Sequence, residues 1–247
     1  MRVLWLLLFA GSMAQQDMDR NVFLFSRKSL TNDVVLTPMA TGPLRKLTVC
    51  LRSYTNEGKY ALLTMGIENS QIRNMFVISH STPGYFDIYI NDLSLFNPGT
   101  RDVLEWNHIC VTWDSDTGVL QLWVNGKLSP RTVLQKGSSI DLQGGISLGQ
   151  MHIKASYWHH GRLRFNDIKW DPETSFKGEI SDVHMWNEVL SPETIRRVLL
   201  NDREINGNVI SWRSLNYTIN GDVIVQPKIQ CRYGSESGSS HSQCYIE

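Results

Sequence analysis

In Leu120-Gln121-Leu122-Trp123-Val124-Asn125-Gly126, aliphatic residues recur at every second position, and the run ends in two residues that tolerate positive φ. Side chains alternate across a strand with a period of two, so Leu120, Leu122 and Val124 share one face, on a strand entered from the turn Asp116-Thr117-Gly118. Asn-Gly suits the mirror-image turn of a two-residue hairpin, so the chain is predicted to double back at Lys127. Outward from this hairpin the same period returns. Leu47, Val49 and Leu51 interleave with Thr48, Cys50 and Arg52. Phe86, Ile88 and Ile90 interleave with Tyr85, Asp87 and Tyr89 before the turn residues Asn91-Asp92.

One segment reads as a helix. Ser191-Pro192-Glu193 supplies an N-cap hydroxyl, a proline at the first helical position and a first-turn acid. Ile195, Val198 and Leu199 then form one apolar stripe, with Arg196 and Arg197 facing away. Many strands and one short helix predict an all-β fold, a two-layer sandwich with one short α-helix on a face.

The 24 basic residues balance 24 acidic ones, so no global field draws the chain to nucleic acid, and a charged partner must meet a local patch. Met1-Arg2, the apolar run Val3–Ala10 and the small residues Ser12 and Ala14 predict a signal peptide over 1–14, and hence a secreted protein. The run is too short to span a bilayer, which takes roughly 20 apolar residues. Four cysteines in an exported chain point to disulfides. Cys50 and Cys110 lie far apart, whereas Cys231 and Cys244 bound a polar, Ser- and Gly-rich C-terminal extension, 231–247. That tail buries too little apolar surface to fold alone. Its cysteines are expected to close an internal loop or to bond another subunit.

His108-Ile109-Cys110-Val111-Thr112-Trp113-Asp114-Ser115 resembles the pentraxin signature His-x-Cys-x-Ser/Thr-Trp-x-Ser/Thr. The similarity extends through Leu47-Thr48-Val49-Cys50-Leu51, Trp123-Val124-Asn125-Gly126-Lys127, Met185-Trp186, Val189-Leu190-Ser191-Pro192 and Ser211-Trp212-Arg213. One pentraxin domain is therefore expected over 15–230. The resemblance implies an antiparallel jelly roll, a bridge between Cys50 and Cys110, and a homo-oligomeric ring, usually a pentamer. It also implies one ring face that holds phosphocholine- or phosphoethanolamine-like ligands through calcium, and an opposite face for complement or receptors. A Cys50–Cys110 bridge would stabilise the fold by roughly 4 kcal/mol in the chain-entropy model.

The calcium pattern is broken. The family places a Glu-Gln-Asp run after Leu-Gly-Gln, but here Leu148-Gly149-Gln150 is followed by Met151, His152 and Ile153. Gln71 and Ile72 stand where an Asp-Asn pair belongs. Calcium wants several oxygens, carboxylates among them, which thioether, imidazole and alkyl groups do not supply. The residual candidates are Asp171 and Glu173, near Thr174, with Glu68 and Asn69 as alternatives.

The stretch between Gln150 and Trp170 is longer than the family usually carries and reads as a loop. Lys154, Arg162, Arg164 and Lys169 face a single acid, Asp167, among Tyr157, Trp158, Phe165 and Trp170. Arg162, Arg164, Lys169, Trp158 and Trp170 are candidates to hold an anionic group or stack on a sugar without metal. The alternative is that the aromatics bury under the loop while the cations solvate it. His152, His159 and His160 suggest zinc, but adjacent loop histidines point apart and no acid or thiolate accompanies them in register. His108 is expected to be a hydrogen-bonded core residue, and Asn216 heads the sequon Asn216-Tyr217-Thr218.

A glycoside hydrolase needs two facing carboxylates. The strand-borne pair Glu179 and Asp182 has odd spacing and is expected on opposite faces, which argues against an enzyme. The expected function is a secreted pattern-recognition protein for phosphate-bearing or anionic glycan ligands with a degraded calcium site. The alternative is a matrix or secretory-storage protein linked through its extra cysteines.

Overall fold

The computed structural model describes residues 15–66, 75–82, 84–98, 105–159, 162–233 and 242–246. The expected signal peptide 1–14 lies outside them, as do Glu68, Asn69, Gln71 and Ile72.

Two antiparallel sheets form the body. The first runs, in spatial order, β10 (Lys127–Leu128), β9 (Val119–Val124), β8 (Asn107–Asp114), β3 (Lys46–Tyr54), β15 (Gly178–Trp186), β1 (Asn21–Phe25) and β17 (Val223–Pro227), with β11 (Thr132–Val133) also paired to β9. The second runs β16 (Tyr217–Asn220), β2 (Asp33–Leu36), β12 (Ile146–Leu148), β4 (Tyr60–Met65), β5 (Phe76–Thr82), β6 (Tyr85–Ile90) and β7 (Leu93–Pro98). This is the expected two-layer jelly-roll sandwich. Asn125 and Gly126 turn at φ 49° and 77° between β9 and β10, and Asn91 and Asp92 at 49° and 62° between β6 and β7. Both turns have the doubly positive geometry that matches strand twist.

The aliphatic face of each alternating strand meets its counterpart between the sheets, around the fully buried Phe23, Phe25, Phe76, Phe86, Trp113, Phe176 and Trp212. Phe23 meets the Trp212 ring edge-on at 5.3 Å, and Phe25 meets Phe176 at 5.4 Å. Trp113 satisfies its indole N–H on the Leu134 carbonyl at 2.9 Å. Each such side chain contributes on the order of 2 kcal/mol by leaving water.

The opposite face of the first sheet is also covered. The helix α1 (Pro192–Leu199) begins at Ser191, whose hydroxyl accepts from the Thr194 N–H. Its one fully buried residue, Ile195, joins Cys50, Cys110, Trp123, Trp186 and Leu190 in a second apolar cluster, with Val198 at its margin. This cover explains why Thr48, Cys50 and His108 are buried although they alternate with the core residues. Cys50 sits directly across from Cys110 in the β3–β8 ladder and is bonded to it.

Two regions depart from expectation. The segment after Gln150 is not an irregular loop: β13 (His152–His159) and β14 (Arg162–Trp170) pair as a separate two-stranded ribbon. The polar tail also pairs with itself, β18 (Ile229–Tyr233) against β19 (Ser242–Ile246).

Candidate functional site

The site is built around the end of β12. Gly149 takes φ 86° against the Phe25 ring, which would stand 2.5 Å from any Cβ there, so no larger residue fits. Gln150 follows and is buried. Its amide nitrogen donates to the Asn32 carbonyl at 3.0 Å, to the Ser175 hydroxyl at 3.3 Å and to the Ser29 carbonyl. Its backbone carbonyl accepts from the Thr64 hydroxyl at 2.6 Å. Gln150 therefore ties the segments carrying Ser29, Asn32, Thr64 and Ser175 together at the base of the ribbon. Across that base the Asp171 N–H donates to the Met151 carbonyl at 2.8 Å.

The residual calcium candidates within the described residues are already engaged. The Asp171 carboxylate accepts from the Glu173 N–H at 3.0 Å, closing a turn. Its carbonyl takes the Thr174 hydroxyl at 3.3 Å. Glu173 points to solvent and pairs with Lys59, which holds its carboxyl below the usual range. Among the described residues the only convergence of three His, Cys, Asp or Glu ligand atoms, within 4.8 Å, is Cys50, His108 and Cys110. Both sulfurs there are spent in the disulfide. The described donor set therefore does not fit a hard cation that wants six to eight oxygens.

The ribbon leaves the body from this same point. Its ladder pairs His152 with Trp170, Ile153 with Lys169, Lys154 with Ile168, Ser156 with Phe165, Tyr157 with Arg164, Trp158 with Leu163 and His159 with Arg162. The candidate residues Trp158, Arg162, Arg164, Lys169 and Trp170 thus all belong to one ribbon. His152 and His159 stand at opposite ends of β13, about 23 Å apart at strand rise, so they do not share a metal. His160 lies outside the described residues.

The Pentaxin family model matches residues 21–227, nearly the whole two-sheet body. The chain belongs to the pentraxin family. It is similar to C-reactive protein of Xenopus laevis, 41% identical over 98% of this chain and 98% of the relative. It is also similar to jeltraxin of Lepidobatrachus laevis, 36% identical over 90% and 94% of the two chains. The fold matches the heptameric SAP-like pentraxin from Limulus polyphemus with a TM-score of 0.66 at 21% identity, covering 87% of this chain and 96% of that one. Membership makes the chain a binding protein of the pentraxin type and not an enzyme.

The acid pair weighed for hydrolysis needs one correction in this pentraxin. A bulge in β15, with Asp182 at φ 52°, shifts the register between Ser181 and His184. An extra residue in a strand reverses the alternation beyond it. Glu179 lies opposite Tyr54, and Asp182 reaches Arg52 on that same face of β3, so the two acids share a face instead of opposing one another. Asp182 is not available for chemistry. Lys228, 2% exposed, binds its carboxylate at 2.5 Å, Arg52 lies at 3.3 Å, and the Ser181 hydroxyl donates at 2.9 Å. Burial pushes this carboxyl up, but Lys228 and Arg52 outweigh it and hold it low. Lys228 Nζ also lies 4.8 Å over the Trp106 ring, which fixes the start of the C-terminal ribbon to the helix-bearing sheet. Sequence reasoning missed this network. The only hint was an aspartate, a residue that tolerates positive φ, inside an otherwise alternating strand.

His108 is buried as expected, but among the described residues only one of its ring nitrogens has a neighbour: Nε2 lies 3.5 Å from Cys110 Sγ, and Nδ1 has no partner. Burial pushes its pKa down to about 3. His184, whose Nδ1 accepts from the Gly207 N–H at 3.3 Å, is lowered to about 4 for the same reason. Both imidazoles are neutral structural groups of the pentraxin fold. Asn216 is half-buried just before the edge strand β16. Cys231 lies directly opposite Cys244 in the β18–β19 ladder.

Proposed function

We propose that this pentraxin is a secreted, ring-forming recognition protein that holds phosphate-bearing or anionic glycan ligands through its β13–β14 ribbon without calcium. The observation that carries this reading is positional. The ribbon, with Arg162, Arg164 and Lys169, rises from the point where the family's calcium acids are replaced by Met151, His152 and Ile153. Asp171 and Glu173 beside it are committed to a turn and to Lys59. Arginine and lysine bind phosphate or carboxylate directly. A ring multiplies weak single-site affinity into avidity on a repeated surface. The heptameric Limulus relative supports a ring, with the number of protomers set by this chain's own interfaces.

Secretion after cleavage at Ala14, with or without a glycan on Asn216, completes the proposal. The register of Cys231 with Cys244 favours a bond within the chain over cross-linking of subunits, which weighs against covalent matrix assembly. Complement or receptors would engage the face opposite the ligand face.

Retention on phosphocholine or phosphoethanolamine beads, first with calcium and then with chelator, tests the reading. Protein that stays bound in chelator supports it, and elution by chelator overturns it. Calorimetric titration of the purified protein is expected to show no tight, stoichiometric calcium uptake.

A further inference from the structure

The ladder of the β13–β14 ribbon sorts its residues into two faces of different chemistry. Directly opposed residues of an antiparallel pair share a face, and so do alternate residues along a strand. His152, Lys154, Ser156 and Trp158, with their partners Trp170, Ile168, Phe165 and Leu163, therefore lie on one face. Ile153, Tyr157 and His159, with Lys169, Arg164 and Arg162, lie on the other. The register shift between Lys154 and Ser156 leaves the sets intact, because the one surplus residue lies on β14 between Phe165 and Ile168. One face thus collects Trp158, Leu163, Phe165, Ile168 and Trp170. The other collects every arginine and lysine of the ribbon except Lys154.

Among the described residues the ribbon pairs only with itself. An isolated two-stranded ribbon is marginal in water, and an apolar face on it asks for a cover. A dissolved phosphate or glycan would satisfy the cationic positions and leave the aromatic ones unmatched. The surface of an anionic bilayer offers both chemistries within one ribbon's thickness: phosphates for arginine and lysine, and the headgroup–acyl boundary where Trp and Phe partition. We propose that the β13–β14 ribbon is a calcium-independent seat for anionic phospholipid membranes. This rests on the reading of the ribbon as the ligand site and narrows it to a lipid surface.

The test is flotation of the full chain with vesicles of phosphatidylcholine alone or mixed with phosphatidylserine, always in chelator. Phosphoethanolamine beads and a soluble sulfated polysaccharide serve as parallel arms. The wild type should float with phosphatidylserine vesicles, and its tryptophan fluorescence should be quenched by brominated acyl chains. Arg162→Glu with Arg164→Glu should weaken flotation by at least about twentyfold, at roughly fivefold per cation lost near an anionic surface. Trp158→Ser with Phe165→Ser should lose vesicle binding by tenfold or more, on the order of one buried aromatic, yet remain on the beads. Should that variant misfold, lipid quenching in the wild type carries the test. Bead retention without flotation or quenching overturns the membrane seat and leaves the proposed function standing. Loss of both overturns both. Polysaccharide binding that depends on the arginines alone, with no vesicle binding, assigns the ribbon to glycans and also overturns the proposal.

Discussion

Strand β8 and strand β14 are of similar length and both mix aromatic, aliphatic and polar residues, yet their surroundings differ. β8 is paired along both edges, by β3 and β9. Both of its faces are covered, Trp113 entering the intersheet core and Cys110 lying under the helix. β14 has one partner, β13. Composition alone does not separate a strand in the middle of a sheet from one in a two-stranded ribbon. The neighbours on its edges and faces do.

The contrast should break first at Trp113. Trp113→Ala empties the core and orphans the Leu134 carbonyl. A loss toward 5 kcal/mol is expected in urea unfolding, where large buried aromatics sit at about 3–5 kcal/mol. Cys50→Ala with Cys110→Ala should cost somewhat less, roughly 4 kcal/mol in the chain-entropy model for a loop of 60 residues.

Acidification sharpens the comparison next, because the body carries buried titrating groups. His108 and His184 fall to about 3 and about 4 in the fold, against 6.5 when unfolded. Below pH 6.5 the unfolded chain binds more protons, so stability is full above that pH and declines as pH falls toward 4. The slope is up to about 1.4 kcal/mol per pH unit for each histidine. Asp182, held low, adds to the loss only below its ordinary 3.8. Urea midpoints measured from pH 7 to pH 4 should show the decline, and His184→Asn should flatten it.

Smaller effects follow outward. Ser191→Ala removes the cap bond to the Thr194 N–H and should cost about 1 kcal/mol by thermal melting. Lys59→Ala, which breaks only the exposed pair with Glu173, should stay within about 0.5 kcal/mol by the same melt.

Much of the body was legible because alternation, turn pairs and a cap are local signals. Leu47, Val49, Leu51, Phe86, Ile88 and Ile90 all face the core, and Asn125-Gly126 turns as expected. The ribbon was not legible as strands, since its aromatics and cations follow no single period across the register shift. Asp182 escaped as well, because a bulge is an event between strands and not a property of one. At the candidate site, the thioether, imidazole and alkyl groups of Met151, His152 and Ile153 after Gln150 could be read from the sequence. The commitment of Gln150, Asp171 and Glu173 to bracing, a turn and an ion pair could not.

The sequence by itself determined which residues alternate, where the hairpins and the helix begin, and which side-chain chemistry follows Gln150, because each follows from backbone preferences or side-chain atoms within a few residues. Only the tertiary structure decided that Lys228 and Arg52 close on Asp182, and that β13 and β14 pair with each other as a ribbon. Those facts depend on register and packing between segments far apart in the chain, where the free energy of burial and charge pairing, not local propensity, selects the arrangement.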